Sequence, residues 1–214
     1  LAPRQGPALG ETRSWGYQLQ RFDARQVPDD IDLMVIDYSR DGSDAKALTP
    51  EGLRRLRERP GRPPRILLCY LSVGEAESYR FYWRPRWKVM PPSWLGPENP
   101  EWKGNYTVRY WQPGWQRLIV KSPTLADRVL EISDARRKPY LDRILEAGFD
   151  GVYLDRVDAY AHWKDDPATA RERMISLVEA IAAYARARKP GFLVVPQNGE
   201  ELLKSAAYRR TIDG

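Results

Sequence analysis

Four apolar runs in this chain end in the same way, and that shared ending limits the fold more than any single motif. Leu33-Met34-Val35-Ile36 is followed by Asp37 and Tyr38, and Ile66 to Leu71 carries Tyr70 and runs into Ser72 and Glu75. Gly151-Val152-Tyr153-Leu154 gives way to Asp155, Asp158 and Tyr160, and Phe192 to Pro196 to Gln197, Asn198 and Glu200. Short, nearly unbroken apolar runs with β-branched residues describe strands buried on both faces, as in a parallel sheet. In such sheets chemistry collects where the strands finish, because the loops there converge on a rigid scaffold.

The intervening segments are helical. Thr49-Pro50-Glu51 starts a helix, with Thr49 as the N-cap and Pro50 in the first turn, running to about Glu58. Leu141, Ile144 and Leu145 share one face of a helix over Pro139 to Ala147 that Gly148 ends. Met174, Leu177, Val178, Ile181 and Tyr184 follow helical spacing within Pro167 to Arg188. Ser14 to Gln20 reads as a first strand, and Tyr208 to Asp213 as the beginning of a sixth. Strand and helix alternate throughout, and no GxGxxG or Walker pattern follows a strand, which argues against a nucleotide-binding doubly wound sheet. The expected fold is α/β, a (β/α)8 TIM barrel with five to six of its eight strands present. Residues 1–13 are expected to be a flexible N-terminal segment and 14–214 the barrel domain, truncated at its C-terminal end.

Between the second and third of these buried runs lies an excursion, Ser78 to Pro123, crowded with Trp and Tyr and broken by Pro and Gly. So many aromatic residues mean an ordered insertion. Some rings belong to a core and others suit stacking against a sugar or a base; Trp111, in Val108 to Gln112, is the strongest functional choice.

Composition removes several alternatives. One Cys and one His among 214 residues allow no internal disulfide and no zinc site of soft ligands, so any metal would rest on carboxylates; neither metal nor cofactor is expected. Cys69 reads as a buried structural thiol. The net charge of +6 comes from basic stretches such as Arg54 to Arg65, read as solvated helix ends and loops. No nucleic-acid-binding motif accompanies them, so nucleic acid is not an expected partner. No run reaches the roughly 18 apolar residues of a membrane helix. The chain opens on Leu with a polar, Pro-containing stretch, as a mature or trimmed N-terminus would, and the expected location is secreted or periplasmic.

Asp37, Glu75, Asp155, Asp158 and Glu200 are thus expected on one rim. Carboxylates without a nucleophilic Ser or Cys are the equipment of glycoside hydrolysis, in which one protonates the leaving oxygen and another attacks or activates water. An acidic rim also favours a cationic substrate such as an amino sugar. The segments WGYQLQ, VIDYSRDG, LCYLSVGEAESYR, VRYWQPGW, GFDGVYLDRVDAY and VPQNGEELL, in this order, resemble the glycoside hydrolase 114 type of TIM barrel, the endo-α-1,4-polygalactosaminidase family. The resemblance implies hydrolysis of an α-1,4-linked galactosamine-containing polysaccharide by an Asp on the fourth strand, which falls on Asp155, and a Glu located after Ile212-Asp213-Gly214. Asp37, Tyr38, Tyr70, Ser72, Glu75, Trp111, Asp158, Tyr160, Gln197, Asn198 and Glu200 are the expected substrate-binding residues, and the expected partner is a polysaccharide or amino-sugar oligomer. A barrel that keeps the cleft but only binds carbohydrate is the alternative reading.

Overall fold

The computed structural model describes residues 9–120, 138–163 and 167–214. Five parallel strands, β1 (Trp15–Gln18), β2 (Leu33–Ile36), β3 (Ile66–Ser72), β7 (Gly151–Asp155) and β8 (Leu193–Pro196), form one sheet in the order β1-β2-β3-β7-β8. The inserted strands β4 (Glu75–Glu77), β5 (Leu95–Glu98) and β6 (Asn105–Val108) make a second, antiparallel sheet in the order β4-β6-β5.

Side chains alternate across a strand, and the large sheet divides its residues accordingly. Met34, Ile36, Leu67, Cys69 and Leu71 face the helices in the main core. Leu33, Val35, Ile66, Leu68, Tyr70 and Leu193 form a second cluster on the concave face, with Tyr153 and Val195 against it. The register pairs Leu33 with Ile66, Tyr70 with Tyr153, and Ser72 with Asp155. Five strands curved over an inner apolar cluster, with helices outside, are part of a TIM-type barrel. Carrying the alternation one step past the apolar rows puts Asp37, Ser72 and Asp155 on the concave face at the strands' carboxyl ends.

The helices form for the reasons visible in their sequences. Helix α1 (Pro50–Arg57) begins where Thr49 Oγ1 accepts the Gly52 amide at 3.1 Å, a cap worth about 1 kcal/mol. Helix α2 (Pro113–Ile119) buries Trp115, whose indole donates to the Val73 carbonyl at 2.9 Å and fastens the excursion to the end of β3. Helix α3 (Tyr140–Ala147) stops at Gly148, which takes φ +98°, the left-handed value a glycine adopts without a Cβ penalty. Helix α4 (Pro167–Arg186) packs Met174, Leu177, Val178 and Ile181 into the core.

Two expectations need revision. Tyr208 to Asp213 does not begin a strand: Ala206–Thr211 is a short helix, α5, capped by the Ser205 hydroxyl on the Tyr208 amide at 3.3 Å. Tyr208 fills the core between helices, a burial that a strand cut short could not provide. The basic stretch Arg54 to Arg65 is not uniformly solvated. Arg59 and Arg65 are buried at the amino-terminal end of the sheet, where they donate to the carbonyls of Pro63, Asp29 and Ile31 and of Ile31, Leu56 and Pro28. Their guanidinium groups satisfy loop carbonyls that would otherwise be desolvated without partners. Of the segment expected to be flexible, residues 1–8 lie outside the described residues, while Leu9 packs on the inner cluster and the Arg13 amide donates to Asp32 at 2.9 Å.

Candidate active site

Asp155 closes β7 and is held by three donors. The Tyr70 hydroxyl donates to Oδ2 at 2.6 Å; the Arg156 amide and the Asn198 side chain donate to Oδ1 at 2.8 and 3.3 Å. These come from β3, from the residue after β7, and from the loop after β8, so three neighbouring strand ends converge on one carboxylate. Burial, then the charges of Glu77 and Asp155, push the Tyr70 phenol far above its ordinary range, so it stays protonated and remains a donor. Arg156 takes a left-handed backbone (φ +61°), uncommon for a residue with a Cβ, and this turn brings its amide onto the Asp155 side chain. The turn packs directly on Gly74, where a Cβ would stand 2.3 Å from the Arg156 carbonyl oxygen.

Next to Asp155 lies a second acidic group organised by Arg80, a buried residue that composition and periodicity did not single out. Its guanidinium donates to Glu77 at 2.6 Å and to Asp37 at 2.7 Å. Glu77 also accepts from the Tyr79 hydroxyl, and Asp37 accepts the Ser39 amide at 3.0 Å on the same oxygen that meets Arg80. Glu75 is buried beside them. Asn99 and Asn105, from the antiparallel sheet, donate to its two oxygens at 2.8 and 3.3 Å, and the Arg156 guanidinium lies 3.3 Å away. Arg156 also reaches toward Asp158, at 3.7 Å.

Aromatic rings line the open side. Tyr17, 44% exposed, meets Tyr153 edge to face across the concave surface, with centroids 5.8 Å apart. Burial, followed by the Asp155 charge, raises its phenol to about 12. Tyr79 is 50% exposed beside Glu77, and Trp102, 67% exposed, tops the β5–β6 hairpin whose asparagines hold Glu75. Among the described residues no group of three or more His, Cys, Asp or Glu is placed to hold a metal ion, and no helix is long and apolar enough to cross a membrane.

Of the residues expected in the site, Asp37, Tyr70, Ser72, Glu75, Asp155, Asp158 and Asn198 lie along these strand ends. Gln197 and Glu200 are exposed at the same edge, Gln197 tied to the sheet through its amide on the Leu154 carbonyl at 2.8 Å. Three others lie apart. Tyr38 is in phase with Met34 and Ile36, so it points to the helices, where it packs on Phe81 and Tyr140 and donates to Asp44 at 2.5 Å. Tyr160 is buried in the same helix-facing core, near Arg171. Trp111 stacks edge to face on Tyr110 and Trp163, with Arg173 over its ring at 4.7 Å, on the side of α4. Arg80, Glu77 and Tyr17 were the omissions. Tyr17 was legible in the alternation of Ser14 to Gln20, and Glu77 in its spacing of two from Glu75 on one strand; nothing local marks an arginine that pairs 43 residues back.

The sequence profile of glycoside-hydrolase family GH114 matches residues 2–213. An uncharacterized protein of Methanocaldococcus jannaschii is 40% identical over 196 residues, covering 89% of this chain and 50% of the relative. An uncharacterized protein of Deinococcus radiodurans is 37% identical over 216 residues, covering 99% of this chain and 61% of the relative. The chain therefore spans about half to three-fifths of the length of these curated relatives. The crystal structure of Aspergillus fumigatus Ega3 in complex with galactosamine shares the fold, with TM-score 0.58 and 21% identity over 97% of this chain and 66% of that one. The glycoside hydrolase domain of PelA from Pseudomonas aeruginosa does so with TM-score 0.58 and 16% identity over 91% of this chain and 62% of that one. With a profile match over nearly its whole length and a parallel sheet whose strand ends gather carboxylates, the chain belongs to glycoside-hydrolase family GH114.

Proposed function

We propose that the protein is a glycosidase that uses Asp155 to cleave an α-1,4-linked galactosamine-containing polysaccharide. The observation that carries this reading is the threefold capture of Asp155 at the carboxyl end of β7. Three donors aimed at one carboxylate present it as an acceptor of fixed orientation, as required of a group that attacks an anomeric carbon or takes a proton from water. The substrate class follows from the surroundings. Among the described residues, Asp37, Glu75, Glu77, Asp155 and Asp158 face two cations, Arg80 and Arg156, in the contacts around them, leaving an excess of negative charge that attracts a protonated amino sugar. The Asp37 oxygen not engaged by Arg80 and Ser39 supplies an acceptor for such an ammonium group. Tyr17, Tyr79 and Trp102 offer apolar faces for sugar rings. The second carboxylate of the pair is proposed to lie in the part of the relatives' length that this chain does not span.

The test uses the full-length protein and a partly deacetylated α-1,4-galactosamine polymer, with new reducing ends as the readout. Wild-type protein is expected to release product, and Asp155→Asn to fall to background with an unchanged melting temperature. Undiminished turnover by Asp155→Asn would remove Asp155 from the mechanism. Tight binding of the polymer by wild-type protein with no product would instead assign a non-catalytic carbohydrate-binding barrel.

A further inference from the structure

Arg80 has a geometry that an ordinary stabilising ion pair does not need. Its amide closes a turn on the Glu77 carbonyl at 3.1 Å, which swings the side chain back over the Glu77 carboxylate. One guanidinium edge takes Glu77 from the antiparallel sheet and Nη1 takes Asp37 from the end of β2. Nη2 is buried with no hydrogen-bond partner among the described residues. The rings of Tyr79, Tyr140 and Tyr70 surround the cation instead, with centroids 5.0, 5.5 and 5.9 Å away. The residue is only 3% exposed. Tyr70 in turn donates the 2.6 Å hydrogen bond to Asp155. A continuous chain of contacts therefore runs from Glu77 and Asp37 through Arg80 and the Tyr70 ring to the Asp155 carboxylate.

We propose that Arg80 is a positioning residue for Asp155: its planar fork locks the ends of β2 and β4 around the Tyr70 ring and so sets the direction from which the Tyr70 hydroxyl meets the carboxylate. A point charge could neutralise one acid, but only a rigid two-sided donor fixes two acids from different sheets at once. Burying a guanidinium is costly even when it is paired, and a core held together for stability alone is served as well by apolar side chains. The inference rests on the reading of Asp155 as the catalytic carboxylate.

The test compares Arg80→Lys, Glu77→Gln and Tyr70→Phe in the full-length protein. Arg80→Lys keeps the charge and loses the fork; Glu77→Gln loosens the fork without removing it and leaves no cation without an acid, because Asp37 remains. Each is expected to lower kcat roughly tenfold to a hundredfold, the range that sub-ångström to 1 Å misplacements produce, with KM changed by less than about twofold in Arg80→Lys and Tyr70→Phe, which leave the acidic groups in place. The double variant Arg80→Lys/Tyr70→Phe should be no slower than the worse single variant, since both act on one chain of contacts. A readout independent of turnover is the carboxyl carbon resonance of Asp155 in protein labelled with [4-13C]aspartate, assigned by its loss in Asp155→Asn. It should shift in all three variants, while the resonance of Asp150, at the opposite end of the sheet, stays in place. A lowered melting temperature with kcat and the Asp155 resonance both unmoved would reduce Arg80 to a purely stabilising role. Multiplicative losses in the double variant would also overturn the proposal. A wild-type protein without turnover would overturn the catalytic reading, and the resonance would still decide whether Arg80 orients Asp155.

Discussion

The hydroxyl of Tyr70 stands 2.6 Å from the carboxylate of Asp155, although 85 residues separate the two in sequence. Their strands are adjacent, and Ser72, two residues beyond Tyr70, is the ladder partner of Asp155, so the phenol reaches diagonally along the concave face. A carboxylate held this way tolerates little displacement. Asp155→Glu keeps the charge but moves the oxygens outward by one C–C bond, about 1.5 Å. Turnover is expected to fall at least about a hundredfold with the melting temperature within a few degrees of wild type; steady-state kinetics and calorimetry on the same preparation check both halves.

Gly74 provides a test of the turn that carries Arg156. A Cβ at this position would stand 2.4 Å from the Ala159 Cβ as well as 2.3 Å from the Arg156 carbonyl oxygen, and neither neighbour is the free end of a flexible side chain. Gly74→Ala should therefore destabilise by about 1–3 kcal/mol, the usual cost of overpacking, and displace the amide that holds Asp155. Urea unfolding should show the loss, and activity should fall further than the unfolded fraction explains.

At the other end of the sheet, Asp150 separates stability from chemistry. It accepts from Arg57 at 3.0 Å, from Lys189 at 3.2 Å and from the Leu67 amide at 3.0 Å. Asp150→Ala leaves the buried Leu67 amide unpaired and removes the shared carboxylate from two partly exposed cations that keep the Gly148 and Phe149 carbonyls, and should cost about 1–3 kcal/mol. Below its lowered melting temperature, kcat should equal that of wild type, because residues at the amino-terminal end of such a sheet support the fold and not the reaction.

Acid stability offers a further check. The hydrogen bond from buried Arg59, then that from the Arg13 amide, lowers the Asp32 carboxyl from 3.8 to about 2. A depressed carboxyl stabilises the fold above its unfolded value and ceases to do so as pH falls through the folded value. This contribution should therefore be complete above about pH 4 and disappear as the pH falls toward 2. In Asp32→Asn, the unfolding free energy measured by urea titration should be lower at neutral pH and should fall less steeply over that window.

Much of the scaffold could be read from residue order, because buried parallel strands and capped helices are local patterns. Thr49, Gly148 and the four apolar runs behaved as their local chemistry required. What escaped was non-local. The antiparallel sheet is made of strands of three or four residues containing Gly96, Pro97 and polar side chains, too short for a period to declare itself. Tyr38 reads as a rim residue because it follows Asp37, although period two sends neighbours to opposite faces. Arg80 could be found only once Glu77 and Asp37 had been brought together by folding.

The two asparagines on Glu75 have a consequence for how this protein can vary. Asn99 and Asn105 hold the two oxygens of one buried acid from opposite sides of the β5–β6 turn, and Trp102 sits between them in sequence. The turn is thus anchored at both shoulders and open at its tip. If the proposed function holds, substitutions at the tip should change which sugars are contacted while the acid below keeps its place, whereas changes at either shoulder should propagate to the acid itself. The hairpin is thus fixed at its base by Glu75 and free at its tip to present Trp102 to whatever enters the cleft.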